Sequence, residues 1–131
     1  MIVRRLSTLP PEREVKGATW TSRRLLLAHD NMGFSLHDTV MYAGTETRMC
    51  YRNHLEAVYC VGGRGTIEVI ATGEVFQIED GMVYALDQHD EHIVRPETDL
   101  RLVCVFRPAI VGTEVHDATG AYPLLSTEGT S

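Results

Sequence analysis

The regular punctuation of this chain constrains its fold most. Between residues 19 and 107, short alternating runs are cut by turn chemistry about every 8–12 residues. The cuts fall at Asp30-Asn31-Met32-Gly33, Ala43-Gly44-Thr45-Glu46, Gly62-Gly63-Arg64-Gly65, Thr72-Gly73, Glu79-Asp80-Gly81 and Pro96-Glu97-Thr98-Asp99. No stretch sustains an apolar period near 3.6 residues, so helices cannot build the core. Short strands with breaks of this kind close into a sandwich or barrel. The expected strands cover 19–27, 34–42, 49–61, 66–71, 74–78, 82–86, 92–95 and 100–107, with Thr72-Gly73 as a hairpin turn. In the second of these, alternation puts Phe34, Leu36, Val40 and Tyr42 on one face and Ser35, His37, Thr39 and Met41 on the other. A short helix fits only near 11–16.

The length of 131 residues gives one domain over 1–131. The formal charge of -6 argues against a general nucleic-acid binder, which needs a basic face. No apolar run approaches the ~18 residues of a membrane span. The opening Met1-Ile2-Val3-Arg4-Arg5-Leu6 lacks a long apolar segment and a cleavage site, so no secretory signal is expected. Cys50, Cys60 and Cys104 are odd in number and suit free thiols in a reducing cytoplasm.

Two clusters carry ligand chemistry. The first runs from Arg52 through His54 and Glu56 to Gly62-Gly63; the second runs from Gly81 through Tyr84 and His89 to His92. Period 2 puts Glu56 on a face with Val58 and Cys60, and by extension with His54, Arg52 and Cys50. Glu56 stands in an apolar run, where an unpaired buried carboxylate costs several kcal/mol. It therefore binds a cation or faces solvent at a sheet edge. Tyr84 and Leu86 share a face of their own strand. A set of Glu56, Tyr84 and His92 offers O, O and N donors, which suit Fe(II), Zn(II), Mn(II) or Co(II). Each histidine taken alone also fits a polar residue near a turn, and Tyr84 alone fits a core tyrosine.

The spacing from Gly81 to His92 resembles the second motif of cupin jelly rolls, and Glu56 before Gly62 fits the end of the first. The paired histidines of that first motif are missing, since their slots fall near Met49 and Tyr51. Read whole, the chain resembles the ectoine synthases, a family of small cupins. The most telling pieces are Asn53-His54-Leu55-Glu56-Ala57-Val58-Tyr59-Cys60, Tyr84-Ala85-Leu86-Asp87, His89-Asp90-Glu91-His92 and Glu114-Val115-His116-Asp117. The resemblance implies an all-β cupin jelly-roll barrel of short antiparallel strands. It implies the cyclisation of N-γ-acetyl-L-2,4-diaminobutyrate to ectoine, a compatible solute, with loss of water. It implies a divalent metal, foremost Fe(II), on Glu56, Tyr84 and His92. It also implies a substrate wall of Trp20, Arg24, Thr39, Tyr51, Cys104 and Phe106. Cys50 departs from the family pattern, where a bulky aromatic is usual, and bears on substrate range.

Two rival classes stay in view: another metal-dependent cupin enzyme such as an oxygenase, and a metal-free cupin that senses a small osmolyte. Exposed sheet edges lead us to expect a homodimer. After Pro108 the strand pattern stops, yet Tyr122-Pro123-Leu124-Leu125 remains apolar enough to dock. In an extended segment Glu114 and His116 project to one side, with Val115 opposite. The expectation is a lid over 109–125 that carries Glu114 and His116 as acid–base groups beside Tyr84, then a flexible tail at 126–131.

Overall fold

The computed structural model describes residues 1–125; the tail expected at 126–131 lies outside the described residues. Among the described residues, ten strands form two antiparallel sheets. They are β1 (Glu14–Lys16), β2 (Trp20–Leu26), β3 (Ser35–Met41), β4 (Thr47–Met49) and β5 (Leu55–Gly62), then β6 (Gly65–Val69), β7 (Val75–Ile78), β8 (Val83–Leu86), β9 (His92–Pro96) and β10 (Leu100–Arg107). The larger sheet runs β1-β2-β3-β10-β5-β8 and the smaller β4-β9-β6-β7. Chain order and spatial order differ because strands alternate between the sheets, as a jelly roll requires.

Alternation sets the interior. In β10, Leu100, Leu102, Cys104 and Phe106 are buried. In β5, Glu56, Val58 and Cys60 are buried while Leu55, Ala57, Tyr59 and Val61 face out. A register shift where Arg101 opposes Gly62 and Leu102 opposes Cys60 leaves Val61 as a bulge. A second shift between Arg24 and Leu26 reverses the phase of β2. Trp20, Ser22 and Arg24 therefore point inward, and so does Leu27 just past the strand.

Two sequence expectations change and one alternation holds. The strand expected over 49–61 is two strands in different sheets, divided by a turn at Arg52 and Asn53. Period 2 thus does not run back through the turn: Arg52 is exposed and Tyr51 is buried at 3 %. In β3 the expected split holds: Ser35, His37 and Met41 form the inward face, and the more apolar Leu36 and Val40 lie on the other side. The helix near 11–16 is a single turn at Pro11–Arg13 followed by β1.

The segment after Pro108 is not an appendage. Ile110, Glu114, Ala121 and Tyr122 are buried. Leu124 and Leu125 are exposed, so of the apolar patch only Tyr122 docks deeply. Arg24, fully buried, donates from its guanidinium to the Gly112 carbonyl at 3.0 Å and the Glu114 carbonyl at 2.7 Å. Its third donor reaches Ser22 Oγ at 3.2 Å, and its charge lies 5.5 Å from the Tyr122 ring centre. The turn of the lid sits flush on β4, because a Cβ at Gly120 would come within 2.4 Å of the Arg48 carbonyl oxygen. Losing Arg24 orphans two buried carbonyls at roughly 1–3 kcal/mol each. Arg24→Met is expected to lower unfolding free energy by about 3–5 kcal/mol. Chemical denaturation measures it, and a loss below 1 kcal/mol contradicts the anchor.

Candidate active site

The barrel closes on a narrow cavity of about 30 Å³. Its wall includes Trp20, Thr39, Tyr51, Cys104 and Phe106, five of the six residues expected to face substrate. Their placement follows from register. Trp20 opposes Met41, Ser22 opposes Thr39, Leu102 opposes Thr39, and Phe106 opposes Glu56. The Trp20 indole packs flat on Gly17, where a Cβ would lie 2.4 Å from it. Arg24 is the exception. It is buried but does not line the cavity, and its donors are spent on the lid.

The three expected metal ligands come from both sheets. Glu56 lies on β5 and Tyr84 on neighbouring β8, offset by two residues, since Glu56 opposes Leu86 and Val58 opposes Tyr84. His92 lies on β9 of the other sheet, opposite Met49 on β4. Glu56 and Tyr84 line the cavity. His92 stands one layer back, its ring centre 6.2 Å from that of Tyr51 and 6.4 Å from that of Tyr84. Met49 and Tyr51, in the slots of the missing histidines, both line the cavity.

Two observations test these residues for a cation. First, His92 Nδ1 is 2.8 Å from the Asp90 carbonyl, which can only accept, so Nδ1 carries the proton. The other nitrogen, Nε2, is then a lone pair, and it is buried with no partner. Such an orphan costs free energy unless something binds it. Second, Glu56 is 7 % exposed, which removes the sheet-edge alternative. Burial pushes its carboxyl up to about 8, and the Cys104 thiol only partly offsets that. Burial also raises the Tyr84 phenol well above its usual 10, with the Glu56 charge adding to it. A divalent ion reverses all three costs at once by favouring carboxylate, phenolate and imidazole lone pair. No three His, Cys, Asp or Glu side chains among the described residues cluster as a metal site; the set expected from sequence takes its third donor from the Tyr84 phenol.

Of the two expected acid–base groups, one faces the cavity. His116 lines it and lies 2.7 Å from the Tyr51 hydroxyl through Nε2. Its ring centre is 5.2 Å from that of Trp20 and 4.7 Å from that of Tyr122. Burial first, then Arg24 and His92, hold its pKa down to about 4. Glu114 is buried too, but its carboxylate accepts the Val111 and Gly112 amides at 2.7 and 2.8 Å. Alternation correctly turns both inward; the short loop then bends Glu114 back on itself. His89, beside the second cluster, bonds the Tyr51 carbonyl at 2.7 Å and so steadies the turn rather than the cavity. Cys50 is half-buried and its thiol donates to the His89 carbonyl at 3.4 Å.

Sequence reasoning missed His37, Met49 and Tyr122 as wall residues. The signal for His37 was present, since it shares a face with Thr39 in β3. Tyr122 gave none, because only the folded lid brings it to the cavity.

Comparison with known proteins places the chain in a family. The chain matches the family model described as ectoine synthase over residues 1–126. It is 60 % identical over 130 residues to the L-ectoine synthase of Sporosarcina pasteurii, covering 98 % of this chain and 97 % of that one. It is 54 % identical over 127 residues to that of Halalkalibacterium halodurans, covering 97 % and 98 %. The fold superposes on the crystal structure of ectoine synthase from P. lautus with a TM-score of 0.86 and 52 % identity, over 96 % of this chain and 91 % of that one. An RmlC-like cupin from Shewanella frigidimarina shares the fold alone, with a TM-score of 0.61 and 21 % identity over 73 % of this chain and 82 % of that one. By sequence over nearly its whole length, and by its cupin barrel, the chain belongs to the ectoine synthase family.

Proposed function

We propose that this chain is a carbon–oxygen hydro-lyase that closes N-γ-acetyl-L-2,4-diaminobutyrate into ectoine. Membership of the family supports this, and one observation carries the chemistry: an orphaned, buried His92 Nε2 and a buried Glu56 without an ion-pair partner among the described residues, each near Tyr84. Glu56, Tyr84 and His92 are the residues that would hold a divalent metal, foremost Fe(II), with Zn(II), Mn(II) and Co(II) as alternatives. When bound, that ion supplies a Lewis acid for the acetamide carbonyl.

The rest falls to the chain's own side chains. The substrate is flexible, and the walls of Trp20 and Phe106 press its methylenes into a loop so that its ends meet. The α-ammonium must lose a proton before its nitrogen attacks the acetamide carbon. His116, neutral at physiological pH, is the acceptor that faces the cavity. A C–N bond forms, a proton passes from the attacking nitrogen to the carbonyl oxygen, and that oxygen becomes a hydroxyl. The proton held by His116 returns to that hydroxyl, the C–O bond breaks, and water leaves with the amidine double bond behind it. Tyr51, bonded to His116 Nε2, orients the ring for both transfers. Glu114 shapes the loop that carries His116, a positioning role in place of the direct proton transfer expected from sequence.

The deciding experiment is turnover of the acetylated diamine without oxygen, in as-purified, chelated and metal-restored protein. Cyclisation restored by metal supports the reading. Consumption of oxygen favours a cupin oxygenase, and tight binding without turnover favours a sensor. Free thiols at Cys50, Cys60 and Cys104 suit a cytoplasmic enzyme. We also propose a homodimer through the open edges of β8 and β7, where Val83 is 62 % and Phe76 47 % exposed. Light scattering should give twice 14.6 kDa, and a monomer at micromolar concentration rules the dimer out.

A further inference from the structure

The cyclisation leaves one cavity-lining imidazole without a task, that of His37 on β3. It is 1 % exposed, and both ring nitrogens meet buried hydroxyls. Nδ1 lies 3.3 Å from Ser22 Oγ and Nε2 lies 3.1 Å from Ser35 Oγ. Each hydroxyl continues toward the lid. Ser35 Oγ accepts the Ile110 amide at 3.0 Å, at the root of the lid. Ser22 Oγ accepts from Arg24, whose other two donors grip the Gly112 and Glu114 carbonyls. The face of the His37 ring meanwhile rests against Phe106, centres 5.1 Å apart and planes at 33°. One imidazole therefore sits where the cavity wall and both anchors of the lid converge.

We propose that His37 is a positioning residue: its hydrogen bonds to Ser22 and Ser35 fix where the lid lies, and so where His116 stands over the substrate. This rests on reading the cavity as the cyclising site. Burial, then Arg24 and His54, hold the His37 pKa well below 6.5, so the ring is neutral. A neutral imidazole has one N–H and one lone pair in a fixed plane. Each serine has spent one lone pair on a donor that leads to the lid, and keeps its proton and its second lone pair. The ring satisfies one serine as donor and the other as acceptor. It thereby fixes the rotor of each hydroxyl and the direction of the lone pair left for Ile110 or Arg24. A group set 1 Å out of place at a reacting centre costs about a hundredfold in rate.

Ser35 gives the cleanest test, because it holds the lid but does not line the cavity. The measurements are kcat, KM, metal content and amide exchange at Ile110 and Gly112 in Ser35→Ala, His37→Phe and the double variant. His37→Phe keeps a ring against Phe106 and loses both hydrogen bonds. Each single variant should lower kcat at least tenfold, leave KM within about threefold and metal content unchanged, and speed exchange at Ile110. The double variant should be no worse than the worse single, because both act through one network. His37→Gln, which keeps a donor and an acceptor, should recover part of the lost turnover. Additive losses, wild-type kcat in Ser35→Ala, or unchanged exchange at Ile110 overturn the proposal. If His37→Phe does not fold, Ser22→Ala reads the Arg24 arm by the same criteria, with Gly112 as the reporting amide. Should wild-type protein fail to cyclise, the reading of the site falls, while exchange at Ile110 still decides whether His37 anchors the lid.

Discussion

His92→Ala and Glu56→Ala are each expected to abolish metal retention and to lower turnover at least a thousandfold, with the barrel intact. The size of the loss follows from the job: an amide carbonyl is a poor electrophile, and Lewis-acid activation is worth several kcal/mol of barrier. The barrel survives because each side chain makes only one local protein contact, His92 Nδ1 to the Asp90 carbonyl and Glu56 to the Cys104 thiol, while His92 Nε2 has no partner and Glu56 is costly as a buried anion. The same physics gives a second readout without substrate. In chelated wild-type protein the folded Glu56 titrates near 8 against 4.5 in the unfolded chain. The unfolded state then binds fewer protons between those values, so stability falls as pH rises from about 4.5 through 8, by up to about 5 kcal/mol. Glu56→Gln should flatten that slope. Added metal should stabilise wild type by about 2.7 kcal/mol at a hundred times its dissociation constant and leave His92→Ala unmoved. Full metal occupancy in either alanine variant would falsify the ligand assignment.

His116→Phe should cut kcat by about a hundred- to ten-thousandfold, the usual range for a lost general acid–base. Metal content should stay normal, since His116 is not among the ligands. Phenylalanine keeps the packing on Trp20 and Tyr122, so folding is spared. The pH dependence has a definite sign. His116 titrates near 4 when folded and near 6.5 when unfolded. Its contribution is whole above 6.5 and is lost as pH falls through 4. Discounted for the exposed edge of the ring, roughly 2 kcal/mol of lid docking goes in that window. Proteolysis of the lid should therefore quicken near pH 4 in wild type but not in His116→Phe. Wild-type turnover in the variant would move proton transfer elsewhere in the cavity.

What the sequence made legible is particular. Leu100–Arg107 has a strict alternation and folds as one strand with Cys104 and Phe106 inward. Glu56 was legible because a carboxylate in an apolar run needs a reason. The break at Arg52 and Asn53 was not, because neither residue is glycine or proline and the flanking pattern stays apolar. That one turn lets Tyr51 and Glu56 line the same cavity from odd and even positions. In β3 alternation gave the two faces but not which one is inward: that side bounds the cavity, so its more polar face lies within and Leu36 and Val40 lie on the other side. Glu114 and Arg24 were seen as groups facing substrate. Distances of sequence separation 88 and 90 tie Arg24 to the lid, and no local pattern encodes contacts that far apart.

The grip of Arg24 on the lid is blind to side chains. It takes hold of carbonyl oxygens at positions 112 and 114, and every amino acid supplies a carbonyl. Thr113 and Val115, which point to solvent, can therefore drift through evolution or be rewritten by an engineer while the clasp holds. Gly112 and Gly120 lack that liberty, because each has positive φ and a crowded Cβ direction. The lid is thus a strap with fixed buckles and an open outer face, the natural place to attach a fluorophore or a tether that reports closure in a working enzyme.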